Sequence, residues 1–397
     1  MLEVYHLFDS CDSFFNGRIN ITQRNNIKQI YYSHDKKQFQ IKDLNKLIAY
    51  LNYIINNRLF AAFPIIIDLK NAVFMDKLTY VLLECVCYYL LELGHIVIVN
   101  FKSRPNIILD GIKKSPLLLL KSKYNINTKL EYNKKFNKDY SSYHFRKILR
   151  QEDKEKDDSL VSSLMQDIDN FLKIYSVSYD YRVSISEVLA ELVDNALEHS
   201  DGDCLIDLDI TNDYKKVDAD ESENFYGINI VILNFSKILI GEKLQDKINT
   251  LSFTKNFSDR YSCVIEAKEN HSQKYSDNYD ENDFFVISAF QHRISSRKES
   301  NLGGTGLTKL LKSLEEKSDT YNCYLLSGNT VLWFIHEYLN YDKNDFIGFN
   351  KPNDYVGNIP SEDCLGRTSF FFPGTAYNLN FVLKHDINEE NSNETTD

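Results

Sequence analysis

Glu187-Val-Leu-Ala-Glu191-Leu-Val-Asp-Asn195-Ala-Leu-Glu-His199-Ser200 is the stretch on which the reading of this chain turns. Ser184 and Glu187 stand at capping-box spacing and Gly202 follows the last periodic residue, which predicts one helix between them. Ile185, Val188, Leu189, Leu192 and Ala196 recur at helical spacing and make its buried face. Glu191, Asn195 and His199 fall four apart, in one row along the border of that face. Asp194 and Asn195 in mid-helix work against propensity, because short polar side chains compete for the backbone. A helix with a carboxylate and a carboxamide on the edge of its core has a chemical use for them. An ordered Asn oxygen can ligate Mg²⁺, a hard cation that keeps several waters and phosphate oxygens. A Glu one turn away, roughly 5–6 Å between Cβ atoms, can orient or deprotonate the nucleophile attacking a γ-phosphate. The alternative is an ordinary surface helix with a solvated Glu191.

Downstream, Asn301-Leu-Gly303-Gly304-Thr305-Gly306-Leu307-Thr308 runs into an apolar-periodic segment, 307–314. Glycines opening a helix present free N–H groups and the positive end of the helix dipole, which suits phosphate. The stretch is neither a P-loop, which needs Gly-Lys-Ser/Thr, nor a dinucleotide fingerprint. Ser295-Ser296-Arg297-Lys298 precedes the glycines, and Arg297 is the candidate phosphate-contacting cation there. An exposed loop charge is the other reading of Arg297.

Together the helix and the glycines resemble the GHKL ATPases, the group of gyrase, MutL, histidine kinases and anti-sigma-factor serine kinases. Glu191-x-x-x-Asn195 is similar to the family's N-box and Gly303-Gly304-Thr305-Gly306-Leu307 to its second glycine box. Phe372-Pro-Gly374-Thr375 and the residues to Leu383 resemble the Gly-Thr and closing strand. The resemblance spans 158–385. It implies a Bergerat-type two-layer α/β sandwich, a mixed sheet with helices on one face, and ATP with Mg²⁺ as cofactors. In that frame Glu191 is the base, Asn195 the Mg²⁺ ligand, Gly303, Gly304, Thr305, Gly306 and Leu307 the phosphate cradle, and Thr375 a further nucleotide contact. His199 is structural. One position departs: the family's first glycine box is Asp-x-Gly-x-Gly at a strand end, with the Asp receiving the adenine amino group. Here strand 227–233 ends in Asn234-Phe-Ser236. An Asn carbonyl still accepts from an amine, without the charge assistance of a carboxylate.

Composition bounds the rest. A length of 397 residues predicts two or three domains. The net charge of −11 argues against a general nucleic-acid binder, because most of the surface repels phosphate. There is no signal-peptide pattern, and the apolar run 80–93 is short and interrupted by Glu84 and Glu92, so no membrane span is expected. The 7 scattered cysteines read as buried thiols in a reducing cytoplasm.

In the first half, a helix over 41–56 precedes a continuous apolar strand over 64–69, a helix from an Asp76 cap to a Gly94 stop and a strand over 95–101, and the last three form one β-α-β unit. Ile67-Asp68-Leu69 and Val73-Phe74-Met75-Asp76 resemble the STAS domains of anti-sigma-factor antagonists. Leu78 stands where their phosphorylatable serine would be. An unrelated α/β unit is the alternative.

Residues 121–157 read as a charged connector, basic then acidic, and as a solvated linker or helix face rather than a nucleic-acid contact. His144 is followed by Phe145, not an acidic residue, and is rejected as a histidine-kinase phosphoacceptor. Strand 204–210 should present one polar face, 212–226 a loop, 240–301 the lid region, and 322–327 with 330–335 a hairpin turning at Gly328-Asn329. Residues 284–294 are apolar all round and fit helix or strand. The tail, 386–397, is polar and acidic and is expected to be disordered.

The organisation expected is therefore 1–120, a STAS-like domain; 121–157, a connector; 158–385, an ATPase domain; then the tail. Three functions fit: a kinase or ATPase switch of the anti-sigma type, an ATP-gated dimer clamp, or an interaction scaffold with a decayed site. The expected partner is a regulatory or STAS-like protein, with a homodimer as a second arrangement.

Overall fold

A computed structural model describes residues 2–11, 15, 17–24, 26–57, 62–70, 72–101, 114–121, 127–141, 143–214, 225–251, 258–294, 306–317 and 323–384. The first unit runs α1 (Tyr5–Asp9), β1 (Ile21–Arg24), β2 (Ile27–Ser33), β3 (Gln38–Phe39), α2 (Ile41–Ile55), β4 (Ile65–Asp68), β5 (Val73–Phe74), α3 (Lys77–Glu92) and β6 (Val97–Asn100). Its main sheet has the order β1-β2-β4-β6, with β2, β4 and β6 parallel and β1 antiparallel. Ile65, Ile66 and Ile67 are buried in alternating directions, as an apolar strand with both faces covered requires. Asp76 accepts from the Thr79 N–H at 2.7 Å and caps α3. Gly94, at φ 87°, terminates it in the left-handed region.

The second unit comprises α4 (Thr128–Asn137), β7 (Lys138–Ser141), β8 (His144–Leu149), α5 (Gln151–Lys156), α6 (Leu160–Lys173), α7 (Tyr179–His199), β9 (Cys204–Tyr214), β10 (Phe225–Phe235), α8 (Glu242–Asn249), α9 (Ser258–Ser272), α10 (Glu281–Ser288), α11 (Gly306–Lys317), β11 (Tyr324–Trp333) and β12 (Leu365–Lys384). Its six strands are ordered β11-β12-β10-β9-β8-β7. Every pairing among them is antiparallel, so the mixed sheet expected here is corrected. The reason is topological: β10 and β11, joined through the helices, run parallel to each other, but β12 is inserted between them. The mixed sheet belongs to the first unit instead.

Side chains alternate between two cores. Ile206, Leu208, Ile230, Ile232, Leu379 and Phe381 face the layer containing α6, α7 and α8–α11. Leu205, Val231, Leu233, Phe235, Leu326 and Phe372 face the first unit. The sheet is thus covered on both sides, giving three layers where the resemblance implied two. The polar face of β9 is buried by this packing. Asp207 and Asp209 are 0 % and 1 % exposed, and Lys77 at the start of α3 reaches both, at 2.7 Å and 2.5 Å. Leu78 N–H donates to Asn378 Oδ1 at 3.1 Å, so this end of α3 is seated on the second unit's sheet.

The stretch read as a solvated connector is corrected by the same interface. Residues 138–141 and 144–149 are strands of the six-stranded sheet. Arg146 is fully buried and donates to both Glu84 of α3 and Asp207 of β9. His144 lies between Asp139 at 2.8 Å and Asp207 at 2.9 Å, a structural position in keeping with its rejection as a phosphoacceptor. Charges that look solvated in sequence are here neutralised by residues far along the chain.

Three local expectations also change. Gly328-Asn329 does not turn a hairpin: β11 is one strand, with its pairing to β12 irregular around Gly328 at φ 58°. Cross-strand pairing overrides the local turn signal. The lid region contributes α8, α9 and α10, and Tyr261, Val264, Phe284, Phe285 and Ile287 bury in the helix-side core. The run 284–294, ambiguous in sequence, begins inside α10. The tail expected over 386–397 lies outside the described residues, as does most of the loop expected over 212–226.

Candidate functional site

The helix that opened the reading is longer than its cap signals predict, starting at Tyr179 rather than near Ser184. Ser184 is interior and its hydroxyl lies 3.4 Å from that of Ser313 on α11. Lys309 of α11 pairs with Glu187 at 3.5 Å. These contacts and the buried Leu310, Leu311 and Leu314 hold α11 against α7. At the other end, Gln151 of α5 donates to the carbonyls of Leu197 and Ser200, closing the last turn. Gly202 has a tertiary role: a Cβ there would stand 2.1 Å from the Phe235 carbonyl, so only glycine lets this loop approach the end of β10.

Between α7 and the sheet lies a cleft enclosing about 960 Å³ of empty space, part of it open to solvent. Glu191, Asn195 and His199 line one wall. Ile232, Asn234, Thr375 and Tyr377 form the floor, and Asn234 faces Thr375 directly in the β10–β12 register. Leu307 enters from α11, Ile240 and Gly241 from the segment leading into α8, and Lys243 and Leu244 from its first turn. Of the residues expected at the site, Glu191, Asn195, Asn234, Leu307 and Thr375 therefore meet around one cavity. Gly306 is the first residue of α11. Arg297, Gly303, Gly304 and Thr305 lie outside the described residues.

The polar groups of the cleft differ in how they are held. Glu191 and Asn195 are half-buried, and neither side chain has a hydrogen-bond partner among the described residues. Asn234 is 2 % exposed and likewise has no side-chain partner among them. Burial raises the Tyr377 phenol far above its ordinary range, which keeps it neutral. Where the resembled family has glycine, Ser236 builds the turn with its hydroxyl, donating to Asp201 at 2.6 Å and accepting from Ile238 N–H at 2.9 Å. Burial works to raise the Asp201 pKa, but Ser236 and the Lys237 N–H, which donates at 3.2 Å, hold it below its usual value. The departure at Ser236 is thus structurally compensated.

Gly374 fixes the floor. Its φ is 111°, and a Cβ would sit 2.2 Å from the Asn234 carbonyl oxygen. Its carbonyl accepts from Ser327 Oγ at 2.6 Å, and that oxygen in turn accepts from Ile240 N–H at 3.2 Å. One buried serine therefore pins both the floor and the segment entering α8. Lys243, whose Nζ lies 3.3 Å from the Glu198 carbonyl, is a cleft cation that sequence reasoning missed. The available cue was Gly241, a glycine at the cap of a helix shortly after Asn234. Among the described residues, no cluster of three or more His, Cys, Asp or Glu is placed to hold a metal ion. None of the described helices is long and apolar enough to cross a membrane. No protein-family model, no curated protein and no solved structure matches the chain.

Proposed function

We propose that the chain is a Mg-ATP-binding regulatory protein, a protein kinase or ATPase switch similar to the anti-sigma-factor serine kinases. The observation that carries the reading is the convergence of Glu191, Asn195, Asn234, Leu307 and Thr375 on one cleft from four separate elements. The carboxylate and carboxamide on its wall add to it, because neither is engaged by another side chain among the described residues and both are open to a ligand.

The donor set fits Mg²⁺ as part of a metal–nucleotide complex rather than as a resident ion. One carboxamide oxygen, Asn195, leaves the remaining positions to water and phosphate, as Mg²⁺ prefers. When bound, Mg²⁺ would neutralise charge on the phosphate oxygens. Glu191 would orient the attacking hydroxyl or water and take its proton. Lys243, whose amine rests on the Glu198 carbonyl near the end of α7, would contribute charge toward phosphate. The apolar floor around Ile232 would receive the base, with Asn234 and Thr375 at its edge.

The first unit occupies the sheet face opposite the cleft, with Lys77 and Leu78 buried there. It therefore serves as a docked support rather than as a phosphoacceptor in cis, and the acceptor is a separate protein. Titration calorimetry of the full chain with ATP tests the reading, with and without Mg²⁺. Binding that strengthens with Mg²⁺ is expected, whereas absence of heat under both conditions refutes the site. Labelled ATP with a candidate partner then separates transfer to Ser or Thr from hydrolysis.

A further inference from the structure

We infer that Asn234 makes the base end of the cleft a reader of both 6-amino and 6-oxo purines, so that the protein takes inosine-type nucleotides about as well as ATP. The inference rests on the nucleotide reading above and specifies its base end. Asn234 is almost completely buried, lines the cleft, and has no side-chain hydrogen-bond partner among the described residues. Leu192, Ala196, Ile232, Ile240 and Leu244 give the cleft apolar surface on its walls and floor, beside the polar row of α7. Such walls suit the faces of a flat ring and leave its polar edge to the one buried carboxamide.

A carboxamide carries an acceptor oxygen and donor N–H groups side by side. In one orientation Oδ1 accepts from a 6-amino group while Nδ2 donates to the unprotonated ring nitrogen beside it. Turned over, Nδ2 donates to a 6-oxo group while Oδ1 accepts from the protonated ring nitrogen. Because no described neighbour fixes the amide, both orientations are open to it. Thr375, directly across the β10–β12 register, has a hydroxyl that donates or accepts and so follows either choice. A carboxylate at this position would be acceptor-only, receiving the 6-amino group and repelling the 6-oxo group.

The test is competition calorimetry of the full chain with Mg²⁺ and three nucleotides: ATP, ITP, and the purine riboside triphosphate that lacks any 6-substituent. ITP should bind within about tenfold of ATP, and the unsubstituted purine about tenfold more weakly than both, the effect of one unmade hydrogen bond. Asn234→Asp should keep ATP within about tenfold, the charge-assisted bond from the 6-amino group offsetting the lost bond to the ring nitrogen, and should lose ITP binding by at least about tenfold relative to ATP. Should this variant not fold, as judged by circular dichroism, the three wild-type affinities decide alone. ITP weaker than ATP by more than about tenfold, or an unsubstituted purine as tight as ATP, overturns the dual reading and leaves the nucleotide site standing. No binding of any of the three overturns both.

Discussion

Replacing Arg146 with Met should destabilise the protein by about 3–5 kcal/mol, the cost of breaking a buried ion pair from one side. The side chains of Arg146, Glu84 and Asp207 are each 0 % exposed, so water cannot replace the lost guanidinium. Burial already raises the Glu84 pKa even with Arg146 beside it, so Glu84 would protonate in the variant. Asp207 keeps Lys77 and His144, which places the expected loss toward the lower end of the range. Against a typical total of about 5–15 kcal/mol, this is a large fraction. Equilibrium urea unfolding would be followed by the fluorescence of Trp333, the only tryptophan, which lies on β11, and by circular dichroism. A double-mutant cycle with Glu84→Gln should show coupling of about 1–3 kcal/mol. A loss within about 0.5 kcal/mol for Arg146→Met, the usual scale of a surface substitution, would refute the buried network and restore a solvated connector.

Three further outcomes are expected. Glu191→Ala should preserve ATP binding while lowering turnover by about 10²–10⁴-fold, whereas Asn195→Ala should weaken only the Mg²⁺-dependent part of binding; wild-type-like values in both would remove the site assignment. Gly374→Ala should cost at least about 1–3 kcal/mol from its positive φ alone, and ATP affinity should fall with it, because the new Cβ displaces the Asn234 backbone; urea midpoints and ATP titration read the two effects. Two histidines should shape stability against pH in opposite senses. Burial disfavours charge on His144, but Asp207 and Asp139 outweigh it and raise its pKa above 6.5. Its contribution is therefore complete below about pH 6.5 and lost as pH rises through the raised folded value. Burial lowers the His271 pKa from 6.5 to about 4, so its contribution is present above 6.5 and lost as pH falls toward 4. In urea midpoints measured across pH, His144→Gln should flatten the upper limb and His271→Gln the lower; unchanged limbs would contradict the environments described.

Several elements were legible because their signals are local. The Asp76 cap and Gly94 stop bound α3, and the apolar run before Asp68 marks β4, since capping and burial periodicity act within a few residues. The row Glu191, Asn195 and His199 was legible in the same way, as a property of one helix. The start of α7 was not: the helix begins at Tyr179, after Ser178 and with Asp180 in its first turn, and runs through Ser184 without a break.

By itself the sequence determined that one helix carries Glu191, Asn195 and His199 in a row along its edge. Only the tertiary structure decided that Asn234 stands opposite Thr375 beneath that helix, because strand register is set by pairing across distant segments. It also decided the fate of the charges. Arg146, Asp207 and Asp209 read as solvent-facing in isolation, the first from a charged stretch and the other two from the polar face of a strand. They are buried because the first unit covers the sheet and brings opposite charges together, and a charge is tolerated away from water only where such a partner meets it.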